Sequence, residues 1–256
     1  MSLTLNGVWQ NSYGSLMTLE VNQSGQIVGE YSSTTGATGT YLVIGYSQPR
    51  NPSSDLGQAV VLSIFWRPID QPAGDDGVHW MSTYCGQLSA EGELTVINTL
   101  LTTTPYNKFA PGDYVDKLVF TKTSEQGKPV FSNAGIKDSN DNRINGEWQR
   151  EDGLAKLSLN IQNQTYGFIS GVLTLAGEDI AMLGFTDTYA DNNILQSLTL
   201  SGYMLSNQQP ISLLGRMSLD ATQLDVTRWL AHATAPSDVY FQSEATHWRF
   251  IKQSID

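Results

Sequence analysis

The chain has 256 residues, with 14 Lys and Arg against 25 Asp and Glu and a formal net charge of −11 at pH 7. That balance speaks against a nucleic-acid partner, which rewards basic patches on phosphate, and against an anionic membrane surface. A single cysteine, Cys85, excludes an internal disulfide, no stretch reaches the ~20 apolar residues of a spanning helix, and MSLTLNGVWQNSYGS is no basic-then-apolar leader, so a cytoplasmic location is expected.

Period-2 alternation begins at once. LMTLEV, QIVGEYSS, TYLVIGY, AVVLSIFW, WMSTYCGQL, LTVINTLL and KLVFTK follow one another between residues 16 and 122, each bounded by Gly, Asn, Pro or Ser, and read as short strands. No amphipathic helix is predicted within residues 1–124. Residues 124–143, SEQGKPVFSNAGIKDSNDNR, are polar and read as a linker. Strand signals then resume with AKLSLNI, GFISGVLTL, IAMLGFTD, LQSLTLSGYM, ISLLGRMSL, QLDVTRWLAH and THWRFIK.

The second series repeats the first. GVWQNSYGSLMTLEV from Gly7 matches GEWQREDGLAKLSLNI from Gly146, CGQLSAEGELTVINTLL matches GRMSLDATQLDVTRWLA, and LVFTK matches WRFIK. The chain therefore divides into a first domain, 1–123, and a second, 144–256. Short strands with regular turns indicate a sandwich or an up-and-down barrel. Polar positions are not repeated: Arg150 and Leu154 stand where the first copy has Asn11 and Ser15.

GVWQNSYGS, GEYSSTTG, GQAVVLSIFW, STYCGQ, INT and FTK, in that order over nearly all of residues 5–123, resemble the avidin/streptavidin family. The resemblance implies an all-β fold of two tandem eight-stranded antiparallel up-and-down β-barrels, with residues 144–252 a weaker copy. It also implies a small-molecule site in the first barrel. Asn11, Ser15 and Tyr31 would bind the ureido oxygen of biotin, three donors on one carbonyl. Tyr13 shares the strand parity of Asn11 and Ser15. Ser33 would line the pocket, Thr35 would lie in the loop over its mouth, and Trp66 and Tyr84 would be aromatic walls. Ser82 would sit near the ligand's sulfur.

Several family groups are missing. Tyr84 replaces a Trp, and the Trp after INT gives way to Leu100 or Leu101. Leu118 replaces the carboxylate that accepts a ureido N–H, Asp116 lying two positions off, and Trp80 is bulky where the ligand tail would pass. The neighbouring subunit's lid Trp has no counterpart, with Tyr106 or Phe109 as substitutes. Losing buried partners at roughly 1–3 kcal/mol each implies weakened affinity relative to the family. In the second copy Arg150, Asp152, Leu154, Leu173, Leu175 and Met204 occupy pocket positions, so that barrel is expected to be filled and structural, with Trp229 recovering the lost wall.

Trp9 and Trp148, present in both copies, read as framework. The three histidines lack metal-ligand spacing, GDD at 74–76 and DSNDN at 138–142 read as solvated turns, and the outward parity of Cys85 marks an interface thiol. Three functions stay open: a non-catalytic binder of a biotin-like or other compact heterocycle, a scaffold that has lost its ligand, and a barrel enzyme, for which no catalytic set is visible. No cofactor or metal is expected. The barrels should pair within the chain, and a homodimer would give a pseudo-tetramer.

Overall fold

The computed structural model describes residues 3–34, 38–71, 77–105, 109–129, 141–238 and 241–254. Among these residues, strands β1 (Gly7–Asn11), β2 (Leu16–Val21), β3 (Gln26–Ser33), β4 (Gly39–Ser47), β5 (Gln58–Phe65), β6 (Trp80–Leu88), β7 (Glu93–Thr102) and β8 (Gly112–Ser124) close into one antiparallel barrel. A second barrel contains β9 (Gly146–Arg150), β10 (Ala155–Asn163), β11 (Phe168–Leu175), β12 (Glu178–Thr186), β13 (Gln196–Met204), β14 (Gln209–Met217), β15 (Gln223–Ala231) and β16 (Ser243–Lys252). Each strand pairs with its sequence neighbours, and β1–β8 and β9–β16 complete the circuits. Closure leaves no open sheet edge in either barrel.

The repeated residues do the same work in both copies. Trp9 donates its indole N–H to the Leu5 carbonyl at 2.9 Å, and Trp148 donates to Ile144 at 3.0 Å. Lys122 and Lys252 each lie 5.2 Å over the matching ring. Gly7 and Gly146 have φ of +122° and +123°, and a Cβ on Gly7 would fall 2.3 Å from the Ser124 carbonyl oxygen. A side chain there would break the junction of first and last strands. Trp9 and Trp148 are thus closure residues, each about fully buried.

The barrels pack side by side through β4–β7 of the first and β11–β15 of the second. Leu42, Ile44, Phe65, Met81 and Leu101 meet Phe168, Phe185 and Leu214 at one end of the seam; Ala59, Val61 and Cys85 meet Trp229 and Ala231 at the other. Between them lies a fully buried hydroxyl ladder. Ser63 Oγ meets Ser201 Oγ at 2.8 Å and Thr199 Oγ1 at 3.0 Å, and Thr83 Oγ1 donates to Ser212 Oγ at 2.8 Å. Gln87 and Thr234 bond reciprocally across the seam, and buried His79 meets Asp187 at 2.5 Å. The seam explains AVVLSIFW and its neighbours: β5 and β6 are buried on both faces, so their sequences are apolar without alternation.

Cys85 faces this seam, opposite in parity to Tyr84, and burial pushes its thiol from about 9 up to about 12. A thiol that ionises later folded than unfolded contributes stability fully below pH ~9, which is lost as pH rises from ~9 to ~12. Urea unfolding at stepped pH should show a fall across that window that is shallower in Cys85→Ala. Equal slopes in the two proteins would contradict this placement.

Candidate functional site

The turns β1–β2, β3–β4, β5–β6 and β7–β8 gather at one end of the first barrel. Because Phe120 pairs with Asn11, the last residue of β1, residues 112–118 of β8 run past β1 and form one side of this mouth. Strand alternation turns Asn11, Ser15, Tyr31, Ser33, Ser82 and Tyr84 toward the lumen, along with Trp80, Asn98, Leu100, Asp116 and Leu118.

Asn11 organises the floor of the mouth. Its Oδ1 accepts the backbone N–H groups of Tyr13 and Ser15, both at 3.0 Å, which fixes the β1–β2 turn. Its Nδ2 donates to the Tyr31 hydroxyl at 3.1 Å, so the phenolic proton of Tyr31 is available to another acceptor. Ser15 Oγ accepts from the Thr34 N–H at 3.2 Å. Thr34 directs its own hydroxyl to the Tyr13 carbonyl, which leaves Ser15 as donor in a long 3.3 Å contact to Thr34 Oγ1. Asn11, Ser15 and Tyr31 are 6%, 1% and 4% exposed, so these donors are held away from competing water.

Aromatic groups form the walls. Tyr31 meets Trp66, Tyr84 and Phe120 edge to face, with centroids 5.5, 6.2 and 6.4 Å away. Trp66 donates its indole N–H to Ser82 Oγ at 2.9 Å and leans on Tyr41, 5.0 Å away. Tyr41 is a wall residue that the sequence reading missed, hidden in the apolar run of β4. Burial first, then the adjacent Tyr31 phenol and the charge of Asp116, hold the Tyr84 hydroxyl well above the usual tyrosine range. It is a neutral donor at any ordinary pH. Phe109 packs on Trp80 at 5.2 Å and Tyr114 at 5.0 Å, an aromatic roof supplied by the chain itself.

A family model for the avidin family matches residues 1–109. Over that span the first barrel is similar to the avidin family. No curated protein matches the chain. The matched span takes in the first seven strands of the avidin-family barrel and ends before β8, the strand on which Leu118 stands in place of a carboxylate. The family consists of non-enzymatic binding proteins, and the chain carries its barrel twice, in tandem.

The avidin-like second barrel treats its mouth differently. Leu173, Leu175 and Met204 join a continuous core with Leu198, Leu200 and Ile211. Arg150 pairs with Asp152 at 2.6 and 2.5 Å, and Arg150 and Arg228 lie 4.7 and 5.0 Å over the Trp248 ring, with Glu244 holding Arg228. Stacked cations and an indole occupy the space that the first barrel leaves to polar groups.

Several sequence expectations are corrected. Tyr13 does not share the lumen face: the turn at Gly14 (φ +84°) breaks the alternation and leaves Tyr13 57% exposed. Leu154 is likewise turned out, 67% exposed. Trp229 restores no wall, because its parity on β15 sends it to the seam while Arg228 faces inward. The lost wall falls to Leu100, opposite Ser82, whereas Leu101 belongs to the seam. Thr35, Gly36, Tyr106 and residues 74–76 and 130–140 lie outside the described residues.

Asn11 thus has two separable roles. Asn11→Ala should cost about 1–3 kcal/mol in urea unfolding, because the buried Ser15 N–H and the half-buried Tyr13 N–H lose their acceptor. Asn11→Asp keeps that acceptor and should cost clearly less. Equal losses in both variants would show that the turn does not depend on Oδ1.

Proposed function

We propose that the first barrel binds one compact cyclic ligand bearing a carbonyl oxygen, biotin or a relative of it, more weakly than the family at large. The observation that carries this reading is the burial of three donors at the β1–β2 end of the barrel: Asn11 Nδ2 bonded to the Tyr31 hydroxyl, the Tyr31 proton left over, and a Ser15 hydroxyl that donates only in a long contact to Thr34. Three such donors on one ligand atom would suit an oxygen that carries partial negative charge. Trp66, Tyr41 and Tyr84 supply flat apolar surface beside it, as a small-molecule pocket requires. Leu118 and Leu100 favour weaker binding, since neither offers a polar contact. The protein acts by holding its ligand, without chemistry on it, and the second barrel serves as the structural half of an internal pair.

Calorimetric titration of biotin into the intact chain tests this. Saturable heat with one site per chain is expected. Ser15→Ala and Tyr31→Phe should each weaken it by about tenfold, the worth of one buried donor. Two equivalent sites, or unchanged affinity in both variants, would contradict the assignment to the first barrel.

A further inference from the structure

Among the described residues, the lumen strand β7 of the first barrel carries a polar atom that the protein does not satisfy. Asn98 Oδ1 is buried and has no hydrogen-bond partner. Native proteins pair the large majority of such atoms, because an unmade bond at a desolvated acceptor is costly. Its surroundings do not repair the deficit. Across β6 it faces Tyr84, and across β8 it faces Asp116, itself an acceptor. On the same side of β8, one step further from the mouth, stands Leu118, which offers nothing. The corresponding place in the second barrel, opposite Thr246, carries Arg228, which is held by Glu244 and Thr246 and stacked on Trp248. The second barrel therefore engages this position, and the first leaves the Asn98 Oδ1 without a partner.

We propose that Asn98 is the specificity-determining acceptor of the site, its Oδ1 receiving a ring N–H from the ligand whose carbonyl oxygen is held by Asn11, Ser15 and Tyr31. This rests on the ligand-binding reading above and narrows it to one chemical class: cyclic ureas and cyclic amides, in which an N–H sits beside the carbonyl. The lumen then presents donors on one side, from β1, the start of β2 and β3, and an acceptor on the other, from β7. A five-membered urea bridges the two through a single C–N unit. A ring ketone or lactone satisfies the donors and leaves Asn98 unpaired, so the site should reject it. Position 98 also takes over, from a neighbouring strand, the acceptor duty for which Leu118 is unsuited. Asp116, exposed on the same face, places negative charge at the mouth and favours ligands with acidic N–H groups over carbonyls alone.

The test compares Asn98→Val with Asn98→Thr, which have nearly the same shape and differ by a hydroxyl acceptor. Biotin is titrated into wild type, both variants and Ser15→Ala, and each protein is also melted without ligand. Asn98→Val should bind at least tenfold more weakly than wild type, and Asn98→Thr should recover a substantial part of that loss. In the melts Asn98→Val should be no less stable than wild type, because it removes an unpaired buried acceptor; a purely structural Asn98 would lose stability instead. Equal affinity of the Val and Thr variants, or a Val variant within twofold of wild type while Ser15→Ala is weakened, overturns the role of Asn98 and leaves the ligand-binding reading standing. No saturable binding by wild type overturns both.

Discussion

An eight-stranded closed sheet has a lumen of nearly fixed width, just enough for side chains or for one small molecule. Everything else in this chain follows from how each copy meets that constraint. Closure itself is secured by the same residue types twice, by Gly7 and Gly146 with positive φ at the strand starts and by Trp9 and Trp148 beneath Lys122 and Lys252. With the frame fixed, the lumen residues alone decide between a filled barrel and a receptive one. The second copy fills with aliphatic side chains and a stack of Arg150, Trp248 and Arg228. The first copy keeps hydroxyls, amides and phenols there, among them the Asn98 Oδ1 acceptor without a partner.

The two barrels also divide their outer faces. In a closed sheet the outside of every strand could be wet, yet β5 and β6 are buried on both sides because the second barrel covers them. The covering surface is an apolar patch at each end with hydroxyls bonded in pairs between them. Each buried hydroxyl in that ladder has its partner on the other barrel, which fixes register where apolar contact alone would permit sliding. Joining the halves in one chain makes the association intramolecular and independent of concentration. The second barrel so becomes a permanent wall for the first.

Much of this was legible in the sequence. Strand order, the tandem repeat and the roles of Trp9 and Trp148 follow from alternation and recurrence. What alternation could not give was side at places where it is interrupted. The turns at Gly14 and Gly153 turn Tyr13 and Leu154 outward, although counting by twos puts them inside. On β7 and β15 both faces meet protein, so apolar character does not distinguish lumen from seam. Leu100 and Leu101, or Arg228 and Trp229, are sorted only by the pairing register. Asn98 was hidden for the same reason: its neighbours Ile97 and Thr99 face the seam side, and INT reads as a motif without a direction.

The proposed function needs one asymmetry, a first barrel that takes ligand and a second that does not. Amide hydrogen exchange of the whole chain, with and without saturating biotin, addresses it directly. The asymmetry predicts added protection at residues 11–15, 31–34, 80–84 and 96–100, with the matching stretches 150–154, 170–173 and 226–230 unchanged. Protection appearing equally in both barrels, or confined to the second, would contradict it.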